Sequence, residues 1–235
     1  MIALIDADVL CYQVGFSVEG KDVEEGFKRL DERLLEILCY VDASDRKLFL
    51  SCPREQNFRT SIHNEYKVGR PPAPTHHKAL RKYLIDNWEA EERHGLEADD
   101  LLGIHQTLNG DNSIICSIDK DLYQIPGNHC EIGGHYNNWQ MDKHHVYPDE
   151  ADWFFCYQWL RGDFVDKITG IPRVGDKKAK KYLEGCTTRK QLVERTMFAY
   201  KEAKLDEQYM LLQANLVYIL RGFYEFFSLD EYLKG

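Results

Sequence analysis

Apolar residues fall in short unbroken runs that alternate with helical stripes. The opening run at 2–5 reads as a short buried strand ending in Asp6-Ala7-Asp8, and residues 47–50 read as another. Such runs suit the middle of a parallel sheet. Between them, Val23 to Val41 carries apolar side chains at Phe27, Leu30, Leu34, Leu35, Leu38 and Val41 with charges opposite, which predicts a crossover helix. A third strand is expected at 113–118, after a helix that begins near Glu97 and the turn signal Asn109-Gly110-Asp111. Strand, helix, strand order implies an open parallel sheet in an α/β fold.

The prolines around 70–75 break regular structure, and Thr75 is the expected N-cap of a helix over about 76–92. Residues 52–70 are polar and basic. Beyond Ala151 the pattern is mostly helical, interrupted by the loop Gly170-Ile171-Pro172-Arg173-Val174-Gly175. Tyr209, Leu212, Leu216, Ile219, Leu220 and Phe223 keep helical spacing and predict a core-facing helix. Phe154, Tyr157, Trp159 and Leu160 are read as packing beneath the turn at Asp163.

At 235 residues and 43% hydrophobic content the chain suits one sizeable α/β domain with a small helical module. No stretch approaches the roughly 18 uninterrupted apolar residues of a membrane span. The N-terminus lacks the basic start and cleavage site of a signal peptide. A cytosolic, membrane-free protein is expected. The seven cysteines show no CxxC spacing, so free thiols are expected rather than disulfides or a zinc ribbon. Pairs such as His76-His77 and His144-His145, and His129 with Cys130 and His135, fit no metal spacing. Surface or packing roles are expected for them, with 129–139 a loop or hairpin at a site rim.

A net charge of −9 argues against a phosphate-bearing partner. Distribution overrides that sum: between Lys167 and Lys181 stand six basic residues and a single acid, Asp176.

The acids are themselves grouped. Asp6 and Asp8 stand two apart at a strand end, as do Asp119 and Asp121, so each pair shares one side if the chain stays extended. Glu97, Asp99 and Asp100 open a helix on which 97 and 100 share a face, and Asp163 and Asp166 repeat that spacing. Each pair alone reads equally as a solvated surface or a cap. Together they lie where active sites of open α/β sheets form, beyond the carboxyl ends of the strands. Two carboxylates about 4 Å apart repel by roughly 1 kcal/mol in water and about 4 kcal/mol at a dielectric of about 20. A cluster therefore calls for cations, and all-oxygen ligands suit Mg²⁺ or Mn²⁺.

In order, Asp6, Tyr66-Lys67-Val68-Gly69-Arg70, Gly95-Leu96-Glu97-Ala98-Asp99-Asp100, Ser117-Ile118-Asp119-Lys120-Asp121-Leu122, Gly162-Asp163-Phe164-Val165-Asp166 and Gly170 to Gly175 resemble the motifs of the 5′ nuclease family. That family includes flap endonucleases and bacteriophage 5′-3′ exonucleases, and the resemblance runs from residue 1 to about 185. The short length and the Asp6-Ala7-Asp8 start are most similar to phage members. The resemblance implies a PIN-like core over 1–160 with an arch or clamp at about 52–75, then a helix-three-turn-helix and C-terminal helices over 161–235. It implies two or more Mg²⁺ or Mn²⁺ ions on Asp6, Glu97, Asp99, Asp100, Asp119, Asp121, Asp163 and Asp166. Lys67 and Arg70, with Asp6 and Asp119, would be catalytic, the two cations at the scissile phosphate and Tyr66 stacked on a terminal base. Gly170, Ile171, Val174, Gly175, Lys177, Lys178 and Lys181 would grip duplex backbone, with K⁺ on carbonyls of the 171–175 loop. The basic run agrees independently, since amides at a helix start with nearby lysines make a phosphate site. Cys52 stands where many relatives carry an acid, and Asp8 is the residue placed to compensate.

The implied activity is 5′-3′ exonuclease or flap endonuclease cleavage of DNA by two metal ions, on a duplex with a 5′ end or flap, with an RNA primer strand as a further substrate. A monomer is expected, in the host cytoplasm if phage-encoded. The competing readings are a non-catalytic DNA-structure-binding protein on the same fold and a PIN-type ribonuclease.

Overall fold

A computed structural model describes residues 1–133 and 140–234. Six strands form one sheet: β1 (Ile2–Asp6), β2 (Asp45–Leu50), β3 (Glu91–Glu92), β4 (Ser113–Ser117), β5 (Gly127–Glu131) and β6 (Asp142–Val146), in the order β3-β2-β1-β4-β5-β6. All neighbours are parallel except β5 and β6. Every residue of β4 is buried and β1 is buried from Ala3 onward, as covered parallel strands require.

Helices α1 (Ala7–Ser17), α2 (Val23–Val41) and α4 (His77–Trp88) cover one face, with the short α3 (Phe58–Ile62) between α2 and α4 in the chain. On α2, Leu30, Leu34 and Ile37 are fully buried, each contributing about 1.5–3 kcal/mol. They pack with Leu10, Leu48, Leu80 and Leu84. Helix α5 (Ala98–Asn109) covers the other face, where Leu101, Leu102 and Ile104 meet Leu4, Phe49 and Ile115. Helices α6 (Pro148–Arg161), α7 (Asp176–Leu183), α8 (Arg189–Glu202), α9 (Glu207–Val217) and α10 (Leu229–Lys234) build a second body around Trp159, Phe155 and Tyr200. Packing crosses the expected division at 160: α6 belongs to this body, while Ile219 and Leu220 return to the α5 face of the sheet.

Several local expectations are corrected. The acid pairs do not continue their strands. Asp6 becomes the N-cap of α1, accepting from the Val9 amide, and Asp119 caps a 3₁₀ turn at Lys120–Gln124 by accepting from the Asp121 amide. Free amides at a helix start outcompete extension here. Thr75 does not cap α4; its amide and hydroxyl bond Glu19, and His76 holds the cap position. That helix stops at Trp88, with Glu89 in the left-handed region at φ 58°, so the chain can join the sheet as β3. His129 lies within β5, buried, and residues 134–139 of the expected rim hairpin fall outside the described residues. The helix expected through Phe223 ends at Val217.

Candidate active site

A cleft of about 1270 Å³ opens where β1 and β4 deliver their C-terminal ends between the two bodies. Asp6, Glu97, Asp99, Asp119, Asp121, Asp163 and Asp166 line it, with Tyr66, Lys67 and Arg70. Acids far apart in sequence thus reach one place by different local devices. Asp6 is fixed by the Ser117 hydroxyl at 2.7 Å, and the Ser117 oxygen in turn accepts from the Asp119 amide at 3.0 Å. Glu97 and Asp100 form a reciprocal cap at the start of α5. Asp163 shapes its own turn, accepting from the Val165 amide at 2.7 Å.

Asp100 does not line the cleft. It is fully buried and takes Arg59 in a two-pronged ion pair at 2.7 and 2.8 Å, while also accepting from the Leu220 amide. A helix turns about 100° per residue, so Asp99 and Asp100 face apart, and only Asp99 meets the cleft. Asp100 is a counter-ion in this structure, which corrects its assignment beside Asp99.

Tyr66 is also corrected. Its ring is 3% exposed with the Lys67 ammonium 5.1 Å from the ring centroid, and its hydroxyl donates to Glu97 at 2.7 Å, so it presents no open face for a base. Lys67, at φ 57°, donates to Glu97 and lies 3.7 Å from Asp166, and Arg70 bonds Asp166. The Lys67 amide also donates to the Asp166 carbonyl, so the 52–75 segment is laid down against the body. Cys52 lines the cleft, its thiol pushed up to about 11 by burial. Asp8 accepts from the Ser51 amide at 2.8 Å and pairs with Arg81, which also reaches Glu92 at 2.6 Å.

The electrostatics split the acids. Burial pushes Glu97 up, but Lys67 and Arg59 outweigh it and hold its carboxyl near about 2. Burial and then the Asp8 charge lift Asp6 to about 7; burial, Asp119 and Asp163 lift Asp121 to about 7. Asp99 is raised by burial, Asp119 and Asp6. Among the described residues, no salt bridge reaches Asp6, Asp99, Asp119, Asp121 or Asp163, and no three His, Cys, Asp or Glu side chains stand ready to cage an ion. The donor chemistry nevertheless fits a hard divalent cation: the unpaired groups are all carboxylates and they raise one another's protonation.

The residues from Gly170 to Lys181 lie outside the cleft lining. Ile171 and Val174 are buried, so their side chains are unavailable to a ligand. Lys177, Lys178 and Lys181 are exposed on α7, which Gly175 caps. Gly170 sits at φ 59° back to back with Gly162, at φ 71°; a Cβ on either would collide with the other's backbone surroundings.

Arg59, Arg81, Glu92, Ser117 and Gln158 also line or brace the cleft and were not singled out as site residues from the sequence. A lone Arg or Gln carries no periodic signal. For Arg59, its place within the polar, basic 52–70 stretch was the available hint.

The architecture is the PIN-like α/β fold of 5′ nucleases. A bacteriophage T5 5′-exonuclease with bound zinc aligns with TM-score 0.64 at 16% identity, covering 92% of this chain and 88% of that one. A bacteriophage T5 flap endonuclease in complex with DNA and metal ions aligns with TM-score 0.64 at 15% identity over the same shares. Residues 1–150 match the 5′-3′ exonuclease N-terminal resolvase-like domain, and the chain belongs to that family. It is 28% identical over 202 residues to the thermostable DNA polymerase I of Thermus aquaticus, covering 78% of this chain and 24% of that protein. It is 30% identical over 133 residues to the flap endonuclease Xni of Shewanella sediminis, covering 52% of each. The chain thus spans about a quarter and about half of these relatives' lengths.

Proposed function

We propose that the protein is a divalent-metal-dependent 5′ nuclease of the phage type, hydrolysing DNA phosphodiester bonds from 5′ ends or at flaps. The observation that carries this reading is the gathering of Asp6, Glu97, Asp99, Asp119, Asp121, Asp163 and Asp166 with Lys67 and Arg70 around one cleft in a chain of the 5′-3′ exonuclease family. Asp6, Asp99, Asp119 and Asp121, with Glu97, Asp163 and Asp166, would hold two or more Mg²⁺ or Mn²⁺ ions. Bound there, such ions supply Lewis acidity toward the phosphate and a nucleophilic water. Lys67 and Arg70 would exchange Glu97 and Asp166 for the scissile phosphate, where their charge opposes the charge that develops during cleavage. The exposed lysines of α7 and the backbone of 170–175 would hold duplex phosphates, with K⁺ on loop carbonyls. A monomer acting in the cytoplasm, on DNA and on RNA primer strands paired with it, completes the proposal.

The test is digestion of 5′-labelled duplex and flap substrates with Mg²⁺ by the wild type and by Asp119→Ala. Mononucleotides or short oligonucleotides should appear with the wild type and be nearly lost with the variant. Equal activity in the two would overturn the mechanism. Salt-sensitive duplex binding with no cleavage in Mg²⁺ or Mn²⁺ would leave a DNA-structure-binding protein, which the missing acid at Cys52 favours. Preference for RNA over DNA of the same sequence would leave a ribonuclease.

A further inference from the structure

The residues after α9 are the ones whose apolar spacing predicted helix, yet their backbone leaves the helix at Val217. Their main-chain groups, and the last two carbonyls of α9, are taken by buried side chains instead. On one side, Arg59 donates to the carbonyls of Leu216 and Tyr218 at 3.1 and 2.6 Å, and the Leu220 amide donates to Asp100 at 3.2 Å. Arg59 also donates to Glu97 at 3.2 Å. On the other side, the Gln124 amide donates to the Val217 carbonyl at 2.7 Å and its oxygen accepts from the Ile219 amide at 3.4 Å. Gln124 also donates to the Gln158 oxygen, and Gln158 donates to Asp121 at 2.5 Å. Arg221 closes the arrangement on the Gln124 carbonyl at 2.8 Å.

Residues 216–221 are thus a strap along the wall of the cleft with a polar relay to each side. One reaches Glu97 through Arg59, and the other reaches Asp121 through Gln124 and Gln158. Gln124 and Gln158 are 1% and 5% exposed, so water does not replace a lost partner and an unpaired amide is costly. A core of this depth holds a polar chain only if each member has somewhere to send its hydrogen bonds, and the strap backbone supplies that end.

We infer that the strap at 216–221 is the brace that fixes the cleft acids for cation binding, with Gln124 and Gln158 as positioning residues acting in series on Asp121. This rests on the metal-dependent reading above: Gln124 acts through Gln158, which lines the cleft and donates to Asp121. Groups that orient metal-holding carboxylates change affinity or rate by about 10- to 100-fold when removed.

The experiment uses the full chain with Gln124→Met, Gln158→Met and the double variant, which keep volume and remove the hydrogen bonds. Mn²⁺ alone is titrated by calorimetry, and cleavage of 5′-labelled duplex is followed in Mg²⁺. Gln158→Met should weaken Mn²⁺ binding and lower kcat by about 10-fold or more while KM for DNA stays within about twofold. The double variant should be no worse than Gln158→Met, because the two act on one carboxylate. Additive losses, or a lowered Tm with Mn²⁺ affinity unchanged, would overturn the inference. A second arm needs no variant to fold: hydrogen exchange at Ile219 and Leu220 in the wild type should slow when Mg²⁺ is added, and unchanged exchange would count against the brace. Should the wild type cleave nothing, the nuclease reading fails, while the Mn²⁺ and exchange arms still decide this one.

Discussion

The acids around the cleft divide into two groups with opposite electrostatics. Glu97, Asp100, Asp166 and Asp8 each face an Arg or Lys: Arg59 and Lys67, Arg59, Arg70, and Arg81 respectively. Asp6, Asp99, Asp119 and Asp121 face one another instead, and Asp6 and Asp121 are lifted to about 7, by burial before anything else. Residues of the same type, spaced alike in sequence, therefore do different work. In the first group, Glu97, Asp100 and Asp166 hold the 52–75 segment and the strap in place while Asp8 ties Ser51 and Arg81; the second stores repulsion that a bound cation would relieve.

The sharpest way to break this division is to remove one member of each group. Asp99→Ala should lower the cleavage rate in Mg²⁺ by about 10³-fold, on the order of 4 kcal/mol, yet leave metal-free thermal stability equal or higher. Asp100→Ala should instead cost about 3–5 kcal/mol in urea unfolding, because Arg59 is left as a buried charge without its strongest partner. If both variants lost stability alike, the division would collapse. A smaller effect is stabilisation of the wild type by Mg²⁺, about 2.7 kcal/mol when the ion is a hundredfold above its dissociation constant. Asp99→Ala should show little of that rise in Tm.

The pH dependence has two limbs. Asp6 and Asp121 bind protons more tightly folded, near pH 7, than at their ordinary 3.8. Their contribution is full below the unfolded value and is lost as pH rises through about 7. Glu97, held near about 2 against an ordinary 4.5, contributes above 4.5 and loses it as pH falls toward 2. Metal-free Tm should therefore peak at about pH 4 and decline through about pH 7, with saturating Mg²⁺ flattening the decline. A metal-free Tm that climbs between pH 5 and 8 would contradict the repulsive group. The smallest effect lies away from the cleft: Lys177→Ala should weaken duplex binding about equally for all sequences and reduce the salt slope by about one.

Much of the fold was legible because its signals are local. The runs that became β1, β2 and β4, and the stripe on α2, announce burial within a few residues of chain. Strands β3, β5 and β6 were not legible: β3 is two glutamates, and β6 reads Asp-Lys-His-His-Val, with pairing to β5 as its sheet signal. The grouped acids pointed to the cleft, since strand ends and helix starts converge there. What grouping did not reveal was which acid turns inward, because Asp99 and Asp100 differ only by one helical step. Arg59 and its partners at Leu216 and Tyr218 are more than 150 residues apart, so no spacing rule connects them. The apolar spacing past Val217 was correct about burial and wrong about helix, because side-chain amides and a guanidinium claim those backbone groups.

The contact between Gly162 and Gly170 sets a length. With no side chain between them, the turn bearing Asp163 and the loop leading to α7 are one piece of backbone that has almost no room to slide. A duplex held at that loop would lie at a constant offset from the acids, so the number of nucleotides between anchor and cut becomes a fixed ruler. Widening the contact by even a methyl group should smear the positions of the products before it slows their formation.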